Sequence, residues 1–417
     1  MQNPQVKEGQ LNTKTLKHLY SFFILVALIS CESKSLERIV VFENPGSELG
    51  SEPNLHLAQD GRILLSWIQA TDTKNSKLFL SALNEKKRTW SDPVLIAEGS
   101  DWFVNWADFP SITSFGENSL AAHYLDKSGE DTYAYNVKLR ISNDNGITWN
   151  RAIIPHNDGT NTEHGFVSKL ALEDDKLLSV WLDGRKYAYS EQDSLIAKEM
   201  TLRSAIMDTS GEILTEFELD DRVCDCCQTD TAMTQKGPIV VYRDRSETEI
   251  RDIYYVRFTD NEWTIPKPVH TDGWSIFGCP VNGPAISALE NNVAVAWFTN
   301  ANDIPQVKVS FSNTNGELFL TPIEVDQIKP SGRVDIELLE DGSALVSWLD
   351  NMDGIAVIRL QRIKADGHKD PAINVSESSE SRSSGFPRMV LKNNKAYVTW
   401  TNAGDTLTVR TAVVNLK

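Results

Sequence analysis

The chain is short of three things: long hydrophobic runs, positive charge and cysteine. The one apolar stretch near its start, Leu19 to Ser30, is 12 residues long, too short to cross a bilayer as a helix. Lys and Arg number 41 against 58 Asp and Glu, a formal charge of −17, which excludes nucleic acid as a bulk electrostatic partner. Of five cysteines, four fall in Cys224-Asp225-Cys226-Cys227 and at Cys279. Their C-x-C-C spacing matches no zinc template, and His-x-His patterns are absent. What is present points elsewhere. Sixteen prolines, 23 glycines and 11 tryptophans suit turns and strands better than long helices.

Residues 1–30 are set apart from the fold. Lys7, Lys14, Lys17 and His18 precede the short apolar run, the pattern of a signal peptide. The run ends Leu28-Ile29-Ser30-Cys31, which resembles the bacterial lipobox, so Cys31 is expected to carry the lipid. The chain then reads as a 31–36 tether and a single domain over 37–417, held at the bacterial cell envelope through its anchor. That compartment is oxidising and lets the remaining cysteines pair.

Beyond the tether one phrase recurs: an apolar strand ending in an aromatic, then a polar turn. The aromatics are Trp67, Tyr124, Trp181, Tyr242, Trp297, Trp348 and Trp400, at intervals of 57, 57, 61, 55, 51 and 52 residues. About 15 residues before most of them a second strand begins, at Glu52-Pro53-Asn54, Asp108-Phe109-Pro110, Glu163-His164-Gly165, Cys226-Cys227-Gln228, Val281-Asn282-Gly283, Gly332-Arg333-Val334 and Gly385-Phe386-Pro387. A repeat of this period predicts an all-β propeller of seven four-stranded blades. The last unit has room for three strands, so the segment Glu37 to Glu43 is expected to supply the fourth and close the ring.

Between two of the strands lies Ser142-Asn143-Asp144-Asn145-Gly146-Ile147-Thr148-Trp149. Its S-x-D-x-G-x-T-W pattern resembles the Asp box of the sialidase superfamily, and Ser312 to Gly316 is a worn copy. The resemblance implies a propeller acting on glycans, with an Asp, a Tyr–Glu pair and three arginines gripping a carboxylate. Sialidases have six blades, so seven is a departure. Their Arg-Ile-Pro signature is missing as well, and the catalytic set does not carry over residue by residue.

The residues at the inner-strand starts should line a common funnel. Asp108, Glu163, His164 and Asp183 are the candidate catalytic groups, with Tyr133, Tyr135 or Tyr254 as candidate nucleophile. Arg185, Arg243, Arg245, Arg333, Arg388 and Asn282 are the candidate substrate-binding groups, because guanidinium forks hold carboxylates. The expected partner is an acidic glycan or glycoconjugate, bound and in a further step hydrolysed, with no cofactor required. Cys224, Cys226, Cys227 and Cys279 are expected to form disulfides. The alternative is a soft-metal site, copper or zinc, on the same four thiolates. A further alternative is an interaction platform without chemistry. Pro155 to Phe166, with two histidines and two acids, is too elaborate for a plain turn.

Overall fold

The structure is a computed structural model and describes residues 38–43, 45 and 49–416. The expected signal peptide and the expected lipidation site at Cys31 lie outside the described residues. The strands assemble into seven antiparallel sheets. Blades 1 to 4 begin with the inner strands Gly50–Leu57, Ile112–Phe115, His164–Ala171 and Asp230–Thr234. Blades 5 to 7 begin with Ala285–Leu289, Pro330–Leu338 and Arg388–Lys392. The seven-blade count is right and the six-blade alternative falls. In blade 2 the outer position is taken by the segment around Ile153, whose amide and carbonyl both pair with Leu139 at 2.8 Å.

The ring closes as the repeat count requires. Ile39–Glu43 pairs antiparallel with the last strand, Leu407–Asn415, from Ile39 opposite Val414 to Glu43 opposite Arg410. Blade 7 thereby gains its fourth strand from the other end of the chain.

The recurring aromatics belong to the second strand of each blade. Trp67, Trp181, Trp297, Trp348 and Trp400 are all fully buried, as is Tyr242, and Tyr124 is nearly so. Each buried ring removes about 150–250 Å² from water, roughly 4–6 kcal/mol before entropy is counted. This explains the insistence on an aromatic at that point in every unit.

The starts of the inner strands do a second job. At Gly165-Phe166 and Gly332-Arg333 the strand bulges, and Phe166 and Arg333 sit at φ 55°. Their amides are each held by a side chain from the preceding blade. Phe166 N donates to Asp108 Oδ1 at 2.7 Å, and Arg333 N donates to Asn282 Oδ1 at 2.8 Å. The glycines are needed because a Cβ on Gly165 would stand 2.0 Å from Asp108 Oδ2, and one on Gly332 would stand 2.3 Å from Asn282 Oδ1. Asp108 and Asn282 are therefore latches between consecutive blades.

The Ser142 turn is locked by its own side chains. Ser142 Oγ accepts from Gly146 N at 2.9 Å, and Asp144 Oδ1 accepts from Thr148 N at 2.8 Å. In the worn copy Gly316 N reaches Ser312 Oγ at 3.1 Å, and the Thr314 hydroxyl replaces the Asp by accepting from Leu318 N at 3.1 Å. A hydroxyl serves because the turn needs an acceptor there, not a charge.

Candidate functional site

Two concavities lie near the inner-strand starts. A cavity of about 160 Å³ is lined by residues of the inner strands, including Asp108, Lys169, Asp230 and Arg388. The loop carrying Trp106 and Phe109 packs on Phe386 at ring distances of 5.7 and 5.8 Å. A larger groove of about 540 Å³ opens at blades 2 and 3. Its walls include Tyr133 before the third strand of blade 2, Glu163, and Tyr187 and Glu191 of the short helix Arg185–Gln192. That volume suits a sugar unit or two, whereas the smaller cavity does not.

Tyr135 lies between a lining residue of each. Its ring is fully buried against Phe103, stacked at 4.0 Å. Its hydroxyl donates to Glu163 Oε1 at 2.7 Å and lies 3.4 Å from Asp108 Oδ2. One phenol thus links a carboxylate on the groove to a carboxylate at the inner cavity. Burial pushes Glu163 up to about 7, against the Tyr135 hydrogen bond, and the nearby Asp225 charge adds to the rise. Burial also drives Asp108 well above the carboxylate range, opposed by the Phe166 amide and reinforced by the Glu163 charge. Burial and the two carboxylates raise Tyr135 well above the ordinary phenol. The cluster therefore holds protons near neutral pH, and Glu163 is the member that opens on the groove.

Of the four predicted catalytic residues, only Glu163 is part-exposed. Asp183 is fully buried and occupied. Trp181 Nε1 donates to its Oδ2 at 2.8 Å, and Arg185 binds both oxygens, each at 2.7 Å. It is a structural anchor for the helix start, not a group that reaches substrate. His164 is also fully buried, and Asp108 is the latch described above.

The arginines do not converge on one carboxylate pocket. Arg243 donates to the carbonyls of Asn282, Arg251 and Phe298 and lies over the Trp274 ring at 4.8 Å. Arg333 donates to Ser384 Oγ and to the carbonyls of Glu380, Ser381 and Gly385. Arg388 faces Asp335 at 3.3 Å, and Arg185 bridges Asp183 and Glu216. These forks are used to tie blades and loops together. Asn282 is likewise engaged, its carbonyl by Arg243 and its side chain by the Arg333 amide. Arg245 differs. It grips Glu249 with Nε and Nη2, at 3.0 and 2.8 Å to Oε1, and reaches Asp225 at 3.4 Å. Tyr187 donates to the other oxygen of Asp225 at 2.8 Å.

Cys226 and Cys279 form a disulfide across Cα atoms 6.0 Å apart. It joins neighbouring units, as expected, and removes two sulfurs from any four-thiolate metal set. Cys224 and Cys227 stay buried as thiols, Sγ to Sγ 3.1 Å. Trp102 and Trp274 are packed against Tyr124 at 4.3 Å and Phe298 at 5.7 Å, and their rings are not offered to a sugar on those faces. Tyr187 escaped the sequence reading. Its only signal was a Tyr just beyond the third aromatic strand, in a helix the repeat did not predict.

No protein-family model and no curated protein matches the sequence. The fold is similar to that of solved structures. A protein of unknown function from Dyadobacter fermentans DSM 18053 is 13% identical, with 91% of this chain and 98% of that one covered at a TM-score of 0.54. An ulvan lyase bound to -[GlcA(1-4)Rha3S]- is 9% identical, with 91% and 96% covered at 0.54. An α-L-arabinofuranosidase of Fusarium graminearum with an iminosugar inhibitor is 13% identical, with 91% and 97% covered at 0.50. The structural neighbours thus include a glycosidase and a lyase.

Proposed function

We propose that this is a carbohydrate-active propeller of the bacterial cell envelope, tethered through Cys31, which binds a glycan in the groove at blades 2 and 3 and cleaves it with Glu163 as general acid–base. The observation that carries the reading is the Tyr135 hydroxyl, 2.7 Å from Glu163 Oε1, on a groove walled by two tyrosines and three carboxylates. A carboxyl group held near neutrality can give a proton to a leaving oxygen and take it back from water. Tyr135 is too buried to touch substrate and acts as a positioning residue. Asp225, on the Tyr187 hydroxyl and close enough for its charge to raise Glu163, is the candidate for the second carboxylate that glycoside hydrolysis needs. The neighbours of known activity support the reading only in sharing the fold.

The groove's composition refines the substrate class. Its lining contains Asp131, Glu163 and Glu191 and no Arg or Lys. Carboxylates accept from sugar hydroxyls and tyrosines offer faces for sugar rings, so an uncharged glycan fits better than the acidic one the sequence suggested. The test is release of reducing ends from a panel of neutral and anionic polysaccharides, compared with Glu163→Gln. The proposal expects turnover of at least one neutral glycan, reduced about 10²–10⁴-fold in the variant. Turnover confined to anionic glycans would reverse the substrate class. No turnover and no binding across the panel would overturn the proposal. Metabolic labelling with palmitate, lost in Cys31→Ser, checks the anchor.

A further inference from the structure

The connection from blade 2 to blade 3 buries a second cluster, which the reading above does not use. His156 and Asp158 lie on the connection itself, and His164 opens the inner strand of blade 3. His156 Nδ1 is 2.9 Å and His164 Nε2 is 3.3 Å from the same oxygen, Asp158 Oδ1. One ligand atom from each residue can be chosen so that all lie within 4.8 Å of one another. The side chains of Asp158 and His164 have no exposure and that of His156 has 3%.

The hydrogen bonds around the cluster assign its lone pairs. His164 Nδ1 lies 3.1 Å from Thr162 O and 3.3 Å from Tyr135 O. Carbonyls only accept, so Nδ1 carries a proton, and Nε2 is the ring atom left to face Asp158 Oδ1. That nitrogen has no hydrogen-bond partner among the described residues. A buried ring nitrogen facing a buried carboxylate oxygen at 3.3 Å calls for a positive charge between them, either a second ring proton or a metal ion. On the far side, Asp158 Oδ2 is held by the Thr160 hydroxyl and, at 3.2 Å, by its amide. Outer bonds of this kind orient metal ligands. The ligand edges of 2.9 and 3.3 Å are close to the edge of about 3.3 Å that a tetrahedral ion with 2.0–2.1 Å bonds requires.

We infer that His156, Asp158 and His164 bind a zinc-class divalent ion that fastens the blade 2–3 connection. Two imidazoles and a carboxylate suit zinc, whereas copper(I) prefers thiolates. The surrounding charge accommodates it, because Asp183 and Glu216 flank the cluster with Arg185 between them, 3.9 Å from Asp158 Oδ1. Closed and buried, the site is structural, not catalytic. It also relocates the metal expectation away from the cysteines. Glu163 is the residue before one ligand, so the ion fixes the backbone from which that carboxylate projects.

The inference stands whether or not the protein cleaves glycans, and its test reads no activity. The full chain, stripped with EDTA and dialysed, is titrated with zinc chloride by calorimetry and with cobalt(II) chloride by visible absorption. One zinc per chain is expected, with a raised thermal midpoint. Cobalt should give the d–d bands of a tetrahedral site without the near-ultraviolet charge-transfer band of thiolate ligands. Asp158→Asn, which keeps the shape of the side chain, should weaken zinc by more than the about 10–100-fold typical of losing an outer-shell partner. His156→Gln serves the same purpose should the first variant not fold, and Cys224→Ser with Cys227→Ser should bind as the wild type does. The inference is overturned if the folded protein takes up neither metal, which would leave His164 as an imidazolium on Asp158. It is overturned equally if binding survives Asp158→Asn, or if it is lost in the cysteine variant.

Discussion

Two seams of this propeller use the same latch for different ends. Between blades 5 and 6, Asn282 accepts the Arg333 amide and does nothing that involves a proton. Between blades 2 and 3, Asp108 accepts the Phe166 amide in the same way, at 2.7 Å against 2.8 Å, but its second oxygen faces the Tyr135 hydroxyl and, through it, Glu163. The repeat imposes the latch, and an acid in place of the neutral amide adds a proton at this seam. A functional group here is a repeat position whose chemistry exceeds what its latch requires.

The comparison can be broken at several points. The largest effect on stability should come from Arg333→Ala, which leaves Ser384 Oγ and three carbonyls without a buried cationic donor. At roughly 1.5–3 kcal/mol for each hydrogen bond to a charged group, the loss should reach several kcal/mol by urea denaturation. Next come the latches themselves. Asn282→Ala and Asp108→Ala should each cost about 1–3 kcal/mol by leaving a buried amide unpaired. Asp108→Asn keeps the acceptor and should cost far less, while still lowering turnover because Tyr135 loses its acidic neighbour. Equal behaviour of Asp108→Asn and Asp108→Ala in denaturation would remove the distinction between latch and proton.

The seam of blades 7 and 1 supplies a pH test. Glu52, at φ 48°, donates its amide to Thr401 Oγ1 at 3.2 Å. Burial raises its carboxyl from 4.5 to about 7, opposed by a hydrogen bond from Ser51. The folded state then binds the proton more tightly than the unfolded one. The contribution is full below pH 4.5 and is lost as pH rises through 7, about 3 kcal/mol in all. Glu52→Gln should flatten stability across that window, and an unchanged slope would refute the assignment. Arg245→Ala should have the smallest effect, under about 1 kcal/mol, because its pair with Glu249 is part-exposed.

Much of the fold was legible in the sequence because a packing requirement repeats there. Every blade needs one aromatic in its second strand, and the 51–61 residue intervals announce it seven times. The strand from the chain start could be placed by counting what the last unit lacked. The site was less legible. Arg243 and Arg333 looked like carboxylate ligands because a guanidinium fork is equally suited to backbone carbonyls, and sequence does not show which acceptors surround it. Glu163 and Tyr135 were both named, but 28 residues separate them, and only the pairing of blades brings phenol to carboxylate. Tyr187 was missed because its helix interrupts the repeat.

The account turns on the claim that the blade 2–3 seam does chemistry and the blade 5–6 seam only holds. The most direct measurement takes Glu163→Gln and Asn282→Ala side by side, reading turnover of whichever polysaccharide the wild type cleaves and the denaturation midpoint of the same preparations. The account predicts that Glu163→Gln loses about a hundredfold or more in turnover while its midpoint at acidic pH is unchanged, and that Asn282→Ala loses stability while its folded fraction turns over normally. Turnover by Glu163→Gln within a factor of about two of the wild type, or an equal loss of turnover in both variants, would contradict it.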